Sequence, residues 1–483
     1  MSKQKRHKAP QVSYSPLGAH TQRGKSLVPP LLNIPNVQTV SWINDRLPEM
    51  LWAALLVTGA DRDIALAVFR QVSDIVHAAG IAAADVTHSG MAGWPPEARG
   101  AVLRLFVSNE QSRDALRPLL LLRALPAQRD WAEALGLAPK PTDWDALKVA
   151  VGRTLDHQSQ ESTDCRWVRV LAQVAAELLQ LPSREMIRQL AEYPTYGDMR
   201  HVRPMIRATE GALATLPASA RSWASSFWEQ CWKDTECQVG LQRNSITPGP
   251  TGTTLPRVQD VRRHLASHFI ESNTSTDLDS ARDATFGIVA YALAILSELL
   301  RLGNSTSIIG RMALRALLEC YITLSYLCWK NDSKTWEAYR NYGSGQAKLA
   351  FLKLDDPSLV SPTFVDLDTL RMLANEDRWM EFLTINVGQW DNSNLRAMSA
   401  QCHTKDEYDK YYPWTSGFTH GTWGAVRNTV FDLCLNPLHR LHRVVTPETA
   451  RLDDVVASAC ELADKSIDLL AQRYPPFAPR VSQ

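Results

Sequence analysis

An apolar segment around residue 315 carries three charged residues at four-residue spacing. Arg311, Arg315 and Glu319 each advance by about 40° around an α-helix, so they lie on one stripe of it. The other positions are mostly leucine, isoleucine, methionine and tyrosine, which predicts a helix buried on most of its sides. Because an unpaired buried charge is very costly, these three side chains need partners. The chain must therefore fold around this helix with polar groups placed against the stripe.

Helical periodicity dominates the rest of the chain. Between residues 46 and 238, apolar residues recur at three- and four-residue spacing, and no segment shows a convincing alternating strand pattern. The pattern continues from residue 257, where segments 279–302 and 305–330 are joined by a short turn that predicts an antiparallel pair. The sequence therefore predicts an all-α fold, with an N-terminal multi-helix domain followed by a C-terminal helical bundle.

Composition divides the chain into four parts. A length of 483 residues exceeds what one core of ordinary size holds. Residues 1–45 are basic and rich in Pro, Gly and Ser, which predicts a flexible tail, or alternatively an arm that contacts nucleic acid or an acidic partner. A Pro/Gly/Thr linker is predicted at 241–256. It separates the N-terminal helical domain, 46–240, from the C-terminal bundle, 257–483.

Charge and cysteine usage favour a cytoplasmic protein. The net charge of +1 excludes a strongly basic molecule, although a local basic patch stays open. None of the eight cysteines lies in a Cys-x-x-Cys pair, which is typical of reduced, buried cysteine rather than of disulfides. The uncharged stretch 284–297 is too short to span a bilayer and is predicted to be a core helix, so no membrane association is expected.

Cofactor and metal motifs are absent from the sequence pattern. There is no Gly-rich phosphate loop, no Walker lysine and no Gly-x-Gly-x-x-Gly, so ATP, NAD and flavin are not predicted and no cofactor is expected. His439 and His442 have a spacing that can place two imidazoles on one helix face, but no third ligand stands nearby. A basic helix end or turn is the favoured interpretation, and no metal site is predicted.

A candidate site combines the charged stripe with a second polar segment about a hundred residues later. Ser416 and His420 lie in that segment, Tyr-Tyr-Pro-Trp-Thr-Ser-Gly-Phe-Thr-His. Two arginines on one face form a donor array suited to phosphate or carboxylate, and a histidine beside them serves as a proton carrier. The alternative is a buried salt-bridge network of Arg311, Arg315 and Glu319 that fixes helix register.

These residues resemble a bacterial all-helical domain of unknown function. The resemblance rests on the Arg311-x3-Arg315-x3-Glu319 helix, a following Trp-x-x-Tyr-Arg helix, and the Ser416-x3-His420 segment, and it covers roughly residues 257–475. It implies a genomic context, since some such proteins occur in phage-defence neighbourhoods, rather than a defined reaction.

A second motif resembles the Arg-x4–6-His signature of small helical ribonucleases of the HEPN type. Arg263 and His268 have this spacing. The resemblance implies cleavage without a metal, with the histidine and arginine acting on the 2′-OH and the phosphate. Several other Arg/His pairs of this chain have a similar spacing, so the motif alone does not single out a site.

The sequence thus leads to one functional hypothesis and one alternative. We expect an intracellular bacterial defence-type protein whose C-terminal pocket binds a phosphate-bearing ligand or RNA. If it is an enzyme, we expect metal-independent RNA cleavage, with His420 or His268 as general acid/base and the arginines stabilising phosphate charge. The N-terminal domain is expected to bind a protein partner, and the apolar C-terminal helices would suit a homodimer. The alternative is a non-enzymatic scaffold in which the stripe is purely structural.

Overall fold

A computed structural model describes most of the chain, and what it describes is almost entirely helical. The prediction of an all-α fold is therefore confirmed. The described residues are 17–28, 30–33, 41–81, 83–179, 183–193, 202–212, 218–239, 254–273, 275, 277–354, 362–375, 380, 383–440, 442–447 and 449–482. Most of the predicted linker, 241–253, and much of the predicted basic tail lie outside them.

The chain forms two compact units. Unit 1 consists of Met1–Gly240 together with Leu433–Val444, and unit 2 consists of Leu241–Asp432 and Val445–Gln483. Unit 1 thus includes a short segment, 433–444, that lies almost two hundred residues further along the chain, and we call it the recruited segment. The helices of unit 1 are α1 (Leu47–Glu49), α2 (Leu51–Gly59), α3 (Arg62–Ala78), α4 (His88–Ala92), α5 (Pro96–Val107), α6 (Glu110–Leu116), α7 (Gln128–Leu135), α8 (Asp143–Leu155), α9 (Gln160–Ala175), α10 (Arg184–Glu192), α11 (Arg203–Ala212) and α12 (Ala218–Asp234).

The core of unit 1 is built around α2. Its residues from Leu51 to Val57 are all buried, as expected of a helix that is apolar on every side. Helices α3, α6, α8 and α9 pack against it. A π-helical turn, Trp42–Arg46, precedes α1, and the indole N–H of Trp42 donates to the Thr154 carbonyl oxygen at 2.8 Å. Residues from Trp42 onward therefore belong to the core, although the basic tail was predicted to extend to residue 45.

Unit 2 is a helical bundle centred on two long helices that pack against each other, α14 and α15. The C-terminal helix α21 packs on both, while α13 and α16 contact α14, and α18 and α19 contact α15. The helices of unit 2 are α13 (Leu255–Glu271), α14 (Ser280–Arg301), α15 (Ile308–Lys330), α16 (Ser333–Leu354), α17 (Leu367–Ala374), α18 (Leu395–Gln401), α19 (Lys405–Thr419), α20 (Trp423–Val430) and α21 (Val456–Arg473).

The N-caps of the two central helices show how local chemistry sets their starts. For α14 the sequence predicts Asp279 or Ser280 as the N-cap, and the cap is Asp279, which accepts from the backbone N–H groups of residues 281 and 282. For α15 the sequence predicts Ser305 or Thr306, but the cap is Ser307, whose hydroxyl accepts from the Gly310 N–H. Ser305 instead donates to Asp454 at 3.1 Å. Ser305 thus makes a tertiary hydrogen bond, and the cap lies two residues further along the chain.

Helix α14 is the one helix of the described residues that is long and apolar enough to cross a membrane. Slightly more than half of its most apolar window, 56%, is buried inside the protein. Buried residues such as Val289, Leu293 and Leu296 belong to the bundle core, which is what the sequence predicts for this stretch.

Strands are short and peripheral in the described residues. Strand β1 (Thr21–Arg23) pairs antiparallel with β2 (Ser26–Val28) inside the predicted tail. Strand β3 (Phe431–Leu433) neighbours β4 (Arg443–Val445), and these two strands bracket the segment that unit 1 recruits. The loop between β3 and β4 is therefore held at its base by strand pairing.

We predict opposite effects of adding one methyl group to two glycines of the central helices. A Cβ at Gly310 would lie 2.6 Å from the Asn304 carbonyl oxygen, whereas a Cβ at Gly287 meets no atom within 4 Å. Gly310→Ala should therefore destabilise the protein by about 1–3 kcal/mol. Gly287→Ala, the matched control, should stabilise it by about 0.5–1 kcal/mol. Chemical denaturation followed by circular dichroism measures both, and equal shifts would contradict the packing described for the start of α15.

Candidate functional site

The structure pairs two of the three stripe residues with each other. The Arg315 Nη1 atom lies 2.6 Å from a carboxylate oxygen of Glu319, one turn further along α15. The guanidinium also lies over the ring of Tyr412, 4.0 Å from its centroid. Arg315 is buried while the Glu319 side chain is half exposed, and the Arg315 Nε and Nη1 atoms have no aligned hydrogen-bond partner among the described residues. Arg315 is therefore held by one ion pair and one aromatic face.

The third stripe residue has different surroundings. Arg311 is half-buried, and burial lowers the pKa of its guanidinium while the carboxylates of Asp453 and Asp454 oppose that shift. These aspartates precede α21, so Arg311 interacts electrostatically with another part of unit 2. The residues of the predicted stripe therefore have different partners. Arg315 contacts Glu319 and Tyr412, whereas Arg311 interacts with the aspartates that precede α21.

Ser416 and His420 lie at the C-terminal end of α19. The sequence predicts separate helices on either side of Pro413, but α19 continues through that proline to Thr419. The backbone N–H of His420 donates to the Ser416 carbonyl oxygen at 3.2 Å, and His420 is exposed. Within the described part of the chain, no hydrogen bond or ion pair joins His420 to Arg311, Arg315 or Glu319.

The HEPN-like pair also separates in three dimensions. Arg263 lies on the exposed face of α13 and pairs with Asp260 at 3.1 Å. His268 faces inward, where its Nε2 atom lies 2.7 Å from the Tyr474 carbonyl oxygen and its ring packs on Phe286. The two side chains thus contact different surroundings, because a five-residue separation places them on different parts of a helix surface. His268 has the contacts of a packing residue.

The stripe and the α19 segment both lie within one match to a family model. Residues 287–433 match the model of a family of unknown function (DUF5677). The match covers less than a third of the chain, and it includes Arg311, Arg315, Glu319, Ser416 and His420 but not Arg263 or His268. No curated protein and no solved structure matches the chain. The predicted resemblance to a helical domain of unknown function is therefore confirmed for the DUF5677 region, 287–433, which begins within α14 and ends with β3.

A stronger concentration of positive charge lies outside the DUF5677 region, in unit 1. Three arginines face the single carboxylate of Glu210, and all four side chains are at most 8% exposed. Arg46 and Arg166 lie 3.5 and 3.6 Å from its oxygens, and Arg169 makes the closest ion pair. We call this group the arginine cluster.

The arginine cluster borders an open cavity of about 190 Å³. Arg207 extends the positive charge along its wall, and Trp42 forms the base on which the guanidinium of Arg166 lies, 4.2 Å from the ring centroid. The cavity is lined by Trp42, Arg46, His157, Gln158, Arg166, Arg207, Glu210 and Gly211. Cationic, aromatic and amide side chains thus line the same cavity.

Burial makes this positive charge costly. The pKa of Arg166 is lowered to about 10, mainly by burial, and the attraction of Glu210 opposes this shift while the neighbouring Arg207 and Arg46 add to it. The pKa of Arg46 is lowered mainly by burial and then by Arg169, while Glu210, Asp85 and Asp45 act in the other direction. Burial followed by repulsion from Arg203 lowers the pKa of Arg207. At neutral pH these guanidinium groups stay protonated, so an anion in the cavity would lower their free energy.

Part of this cluster could have been found in the sequence, because its charged residues have the same helical spacing as those of the C-terminal stripe. Arg203, Arg207 and Glu210 lie at four- and three-residue spacing on α11, much like the stripe on α15. Arg166 and Arg169 stand three apart on α9, a helix with nine consecutive buried positions from Ser162 to Val170. Their convergence on one glutamate depends on the packing of α9 against α11.

One group of described residues has the donor atoms of a metal site. Cys237, Cys434, His439 and His442 bring their ligand atoms within 4.8 Å of one another. The sequence predicts a basic helix end or turn here with no further ligand nearby, whereas the structure brings two cysteine Sγ atoms close to these histidines. The additional donors were missed because Cys237 is some two hundred residues away in sequence, and His439 ends a short 3-10 turn, Pro437–His439, rather than lying on an α-helix face.

We predict that Arg315 and His420 respond differently to replacement. Arg315→Ala removes a buried cation from an aromatic face and an ion pair, so it should destabilise the protein by about 1–3 kcal/mol. Glu319→Gln should cost less than about 1 kcal/mol because that side chain is half exposed. His420→Ala, on an exposed residue, should leave the melting temperature unchanged. Differential scanning calorimetry of the three variants checks this, and an unchanged melting temperature for Arg315→Ala would contradict a structural role.

Proposed function

We propose that this protein binds a phosphate-bearing ligand through the arginine cluster of unit 1. The observation that carries the proposal is that three buried arginines meet a single glutamate, and that two of them, Arg46 and Arg166, line an open cavity together with Glu210. Guanidinium groups are the side chains best suited to phosphate, since their planar array of donors matches its oxygens. This proposal keeps the ligand class expected from the sequence and moves its site from the C-terminal stripe to unit 1.

Electrostatics supports an anion rather than a neutral ligand. Arg166 is flanked by Arg46 and Arg207, and Glu210 is the carboxylate that contacts the cluster directly. Bringing a phosphate into the cavity would add negative charge where burial has already removed most of the water around the guanidinium groups. The ligand would thus offset a desolvation cost that the folded protein has already incurred.

The dimensions and lining of the cavity fit a phosphate group attached to a larger molecule. A single water molecule needs roughly 10–15 Å³ of such volume, so a cavity of about 190 Å³ holds a phosphate with its hydration. The edge of Trp42 and the exposed side chains of His157 and Gln158 lie beside the arginines. These groups can contact a sugar or a base, which makes RNA or a nucleotide the ligand class that we favour.

Enzymatic RNA cleavage is a separate proposal that needs a proton carrier beside the phosphate. His157 is the histidine that lines the arginine cavity, and its backbone carbonyl oxygen accepts from Arg166 Nη1 at 2.6 Å. His420 and His268, the histidines expected from the sequence, belong to unit 2, whereas the arginine cluster belongs to unit 1. Binding is therefore the function that the geometry supports best, and a role in bacterial defence, a cytoplasmic location, a protein partner and a homodimer remain predictions.

The competing class is a scaffold without a ligand. The DUF5677 region favours it locally, because Arg315 pairs with Glu319 and lies over the ring of Tyr412 within unit 2. For unit 1 the two classes differ in one measurable property. A scaffold gains no stability from phosphate, whereas a binding protein is stabilised in proportion to the logarithm of ligand concentration.

We predict that Arg207→Gln weakens phosphate binding without unfolding the protein. Arg207 lies at the half-buried rim of the cavity, and loss of one charge-assisted contact should weaken binding about 10- to 100-fold. Isothermal titration with inorganic phosphate, pyrophosphate, ATP and a 5′-phosphorylated RNA hexamer measures this and ranks the ligand sources. Arg104→Gln, which removes an exposed arginine of α5, is the charge-matched control and should bind like the wild type.

Two outcomes would overturn the proposal. Failure of all four probes to bind or to raise the melting temperature at millimolar concentration would leave the cluster as architecture. Equal weakening by Arg207→Gln and Arg104→Gln would mean that only overall charge attracts the anion. Incubation of the same proteins with labelled RNA tests cleavage independently, and cleavage lost in a folded His420→Ala variant would return the active site to unit 2.

A further inference from the structure

Two cysteines and two histidines from distant parts of the chain meet inside unit 1. Cys237 follows the end of α12, whereas Cys434, His439 and His442 belong to the loop between β3 and β4. All four residues lie within the two chain segments that make up unit 1. The backbone N–H of Cys434 donates to the His442 carbonyl oxygen at 2.9 Å, which closes the loop so that its ligand atoms face one point.

The distances between the donor atoms match those around a tetrahedral metal ion. The Sγ atom of Cys237 lies 3.4 Å from His439 Nδ1 and 3.3 Å from His442 Nε2, and Cys434 Sγ lies 3.5 Å from His439 Nδ1. Bond lengths of about 2.3 Å to sulfur and 2.0–2.1 Å to nitrogen place neighbouring donors about 3.6 Å apart on a tetrahedron. The four side chains thus surround a space of the right size for one ion.

Hydrogen bonding leaves the metal-facing nitrogen of His439 without a proton. The Thr235 hydroxyl donates its only proton to the Cys231 carbonyl oxygen, which lies 2.7 Å away. It can therefore only accept from His439 Nε2, which lies 3.0 Å away. The proton of the neutral imidazole is then on Nε2, and the lone pair of Nδ1 points toward Cys237 and Cys434. An outer hydrogen bond of this kind is what orients metal-binding histidines in proteins.

The surroundings hold the other ligands in place as well. The side-chain amide of Asn436, which is fully buried, donates to Thr235 Oγ1 at 3.0 Å. The backbone N–H of Gln238 lies 3.4 Å from Cys434 Sγ, where it would stabilise a thiolate. The indole of Trp232 covers both imidazoles, with ring centroids about 5 Å apart. The group is therefore built into the fold rather than assembled from loose surface side chains.

We propose that Cys237, Cys434, His439 and His442 form a structural zinc site. Two thiolates and two imidazoles are the ligand set of closed tetrahedral zinc sites, and soft sulfur donors select zinc over magnesium or calcium. Binding would release the two thiol protons, and the two thiolates would then balance the charge of Zn²⁺. With four protein ligands the ion has no open position for a substrate, so its role is architectural.

The site accounts for how the recruited segment stays in unit 1. Cys237 and Cys434 stand immediately before and after the stretch of chain that forms most of unit 2. A metal bond between them closes this stretch into one long loop, and closing a long loop removes more entropy from the unfolded chain than closing a short one. Zinc would therefore stabilise unit 1 by fixing residues 433–444 to the end of α12.

Metal analysis of the full-length protein, purified with a phosphine reductant, tests the proposal. Inductively coupled plasma mass spectrometry should find about one zinc per chain, and replacement by Co²⁺ should give the intense visible bands of a tetrahedral site with a thiolate charge-transfer band. Cys237→Ser and His442→Gln, which alter the two less buried ligands, should lose most of the bound metal. Cys328→Ser, a free cysteine on α15, is the control and should keep it.

The result does not depend on whether the ligand variants fold well. A wild-type protein that holds no zinc after equimolar Zn²⁺ is added, and that shows no thiolate-to-cobalt band, overturns the proposal by itself. So does a zinc content that stays at wild-type level in both ligand variants. A chelator that removes the metal and lowers the melting temperature of the wild type, but not that of Cys237→Ser, would support an architectural role.

Discussion

Glu210 is the carboxylate on which the polar interior of unit 1 depends. It faces guanidinium groups from two other elements, the π-helical turn before α1 and helix α9. A buried charge is tolerated only with a partner, so the turn, α9 and α11 must keep the arrangement in which these ions meet. The same arrangement places Trp42 under Arg166 and opens the cavity beside them. Packing and the candidate binding site are thus two results of one electrostatic constraint.

Unit 2 meets a similar constraint in a more local way. Arg315 finds its carboxylate one turn away on its own helix and its second contact on the ring of Tyr412. A pair within one helix can form wherever the helix packs, so it fixes less of the surrounding structure than a network across three elements. This difference explains why two similar charge patterns have different consequences. In unit 2, Arg315 is covered by Glu319 and Tyr412. In unit 1, the arginine cluster leaves positive charge at the wall of a cavity.

The chain path adds a further condition on unit 1. Its last segment, 433–444, follows most of unit 2 in the chain, and the pairing of β3 with β4 holds the base of that segment. The Cys/His group lies where the segment meets the end of α12, and Asn436 and Thr235 connect the two with hydrogen bonds. Contacts between residues so far apart in sequence are slow to form because loop closure must precede them. A metal ion bound by the Cys/His group would stabilise the contact between this segment and the end of α12.

The sequence by itself determined the helices and their faces. Periodicity predicted the all-α class, the pair α14 and α15 and the Asp279 cap, because these depend on residues within a few positions of one another. It could not show that Arg46, Arg166 and Glu210 share a site, or that Cys237 joins His439 and His442, since residues more than 40 positions apart meet only through tertiary packing. Tertiary structure alone decided these contacts, because electrostatic pairing and metal ligation need atoms within about 4 Å, a distance that local periodicity does not encode.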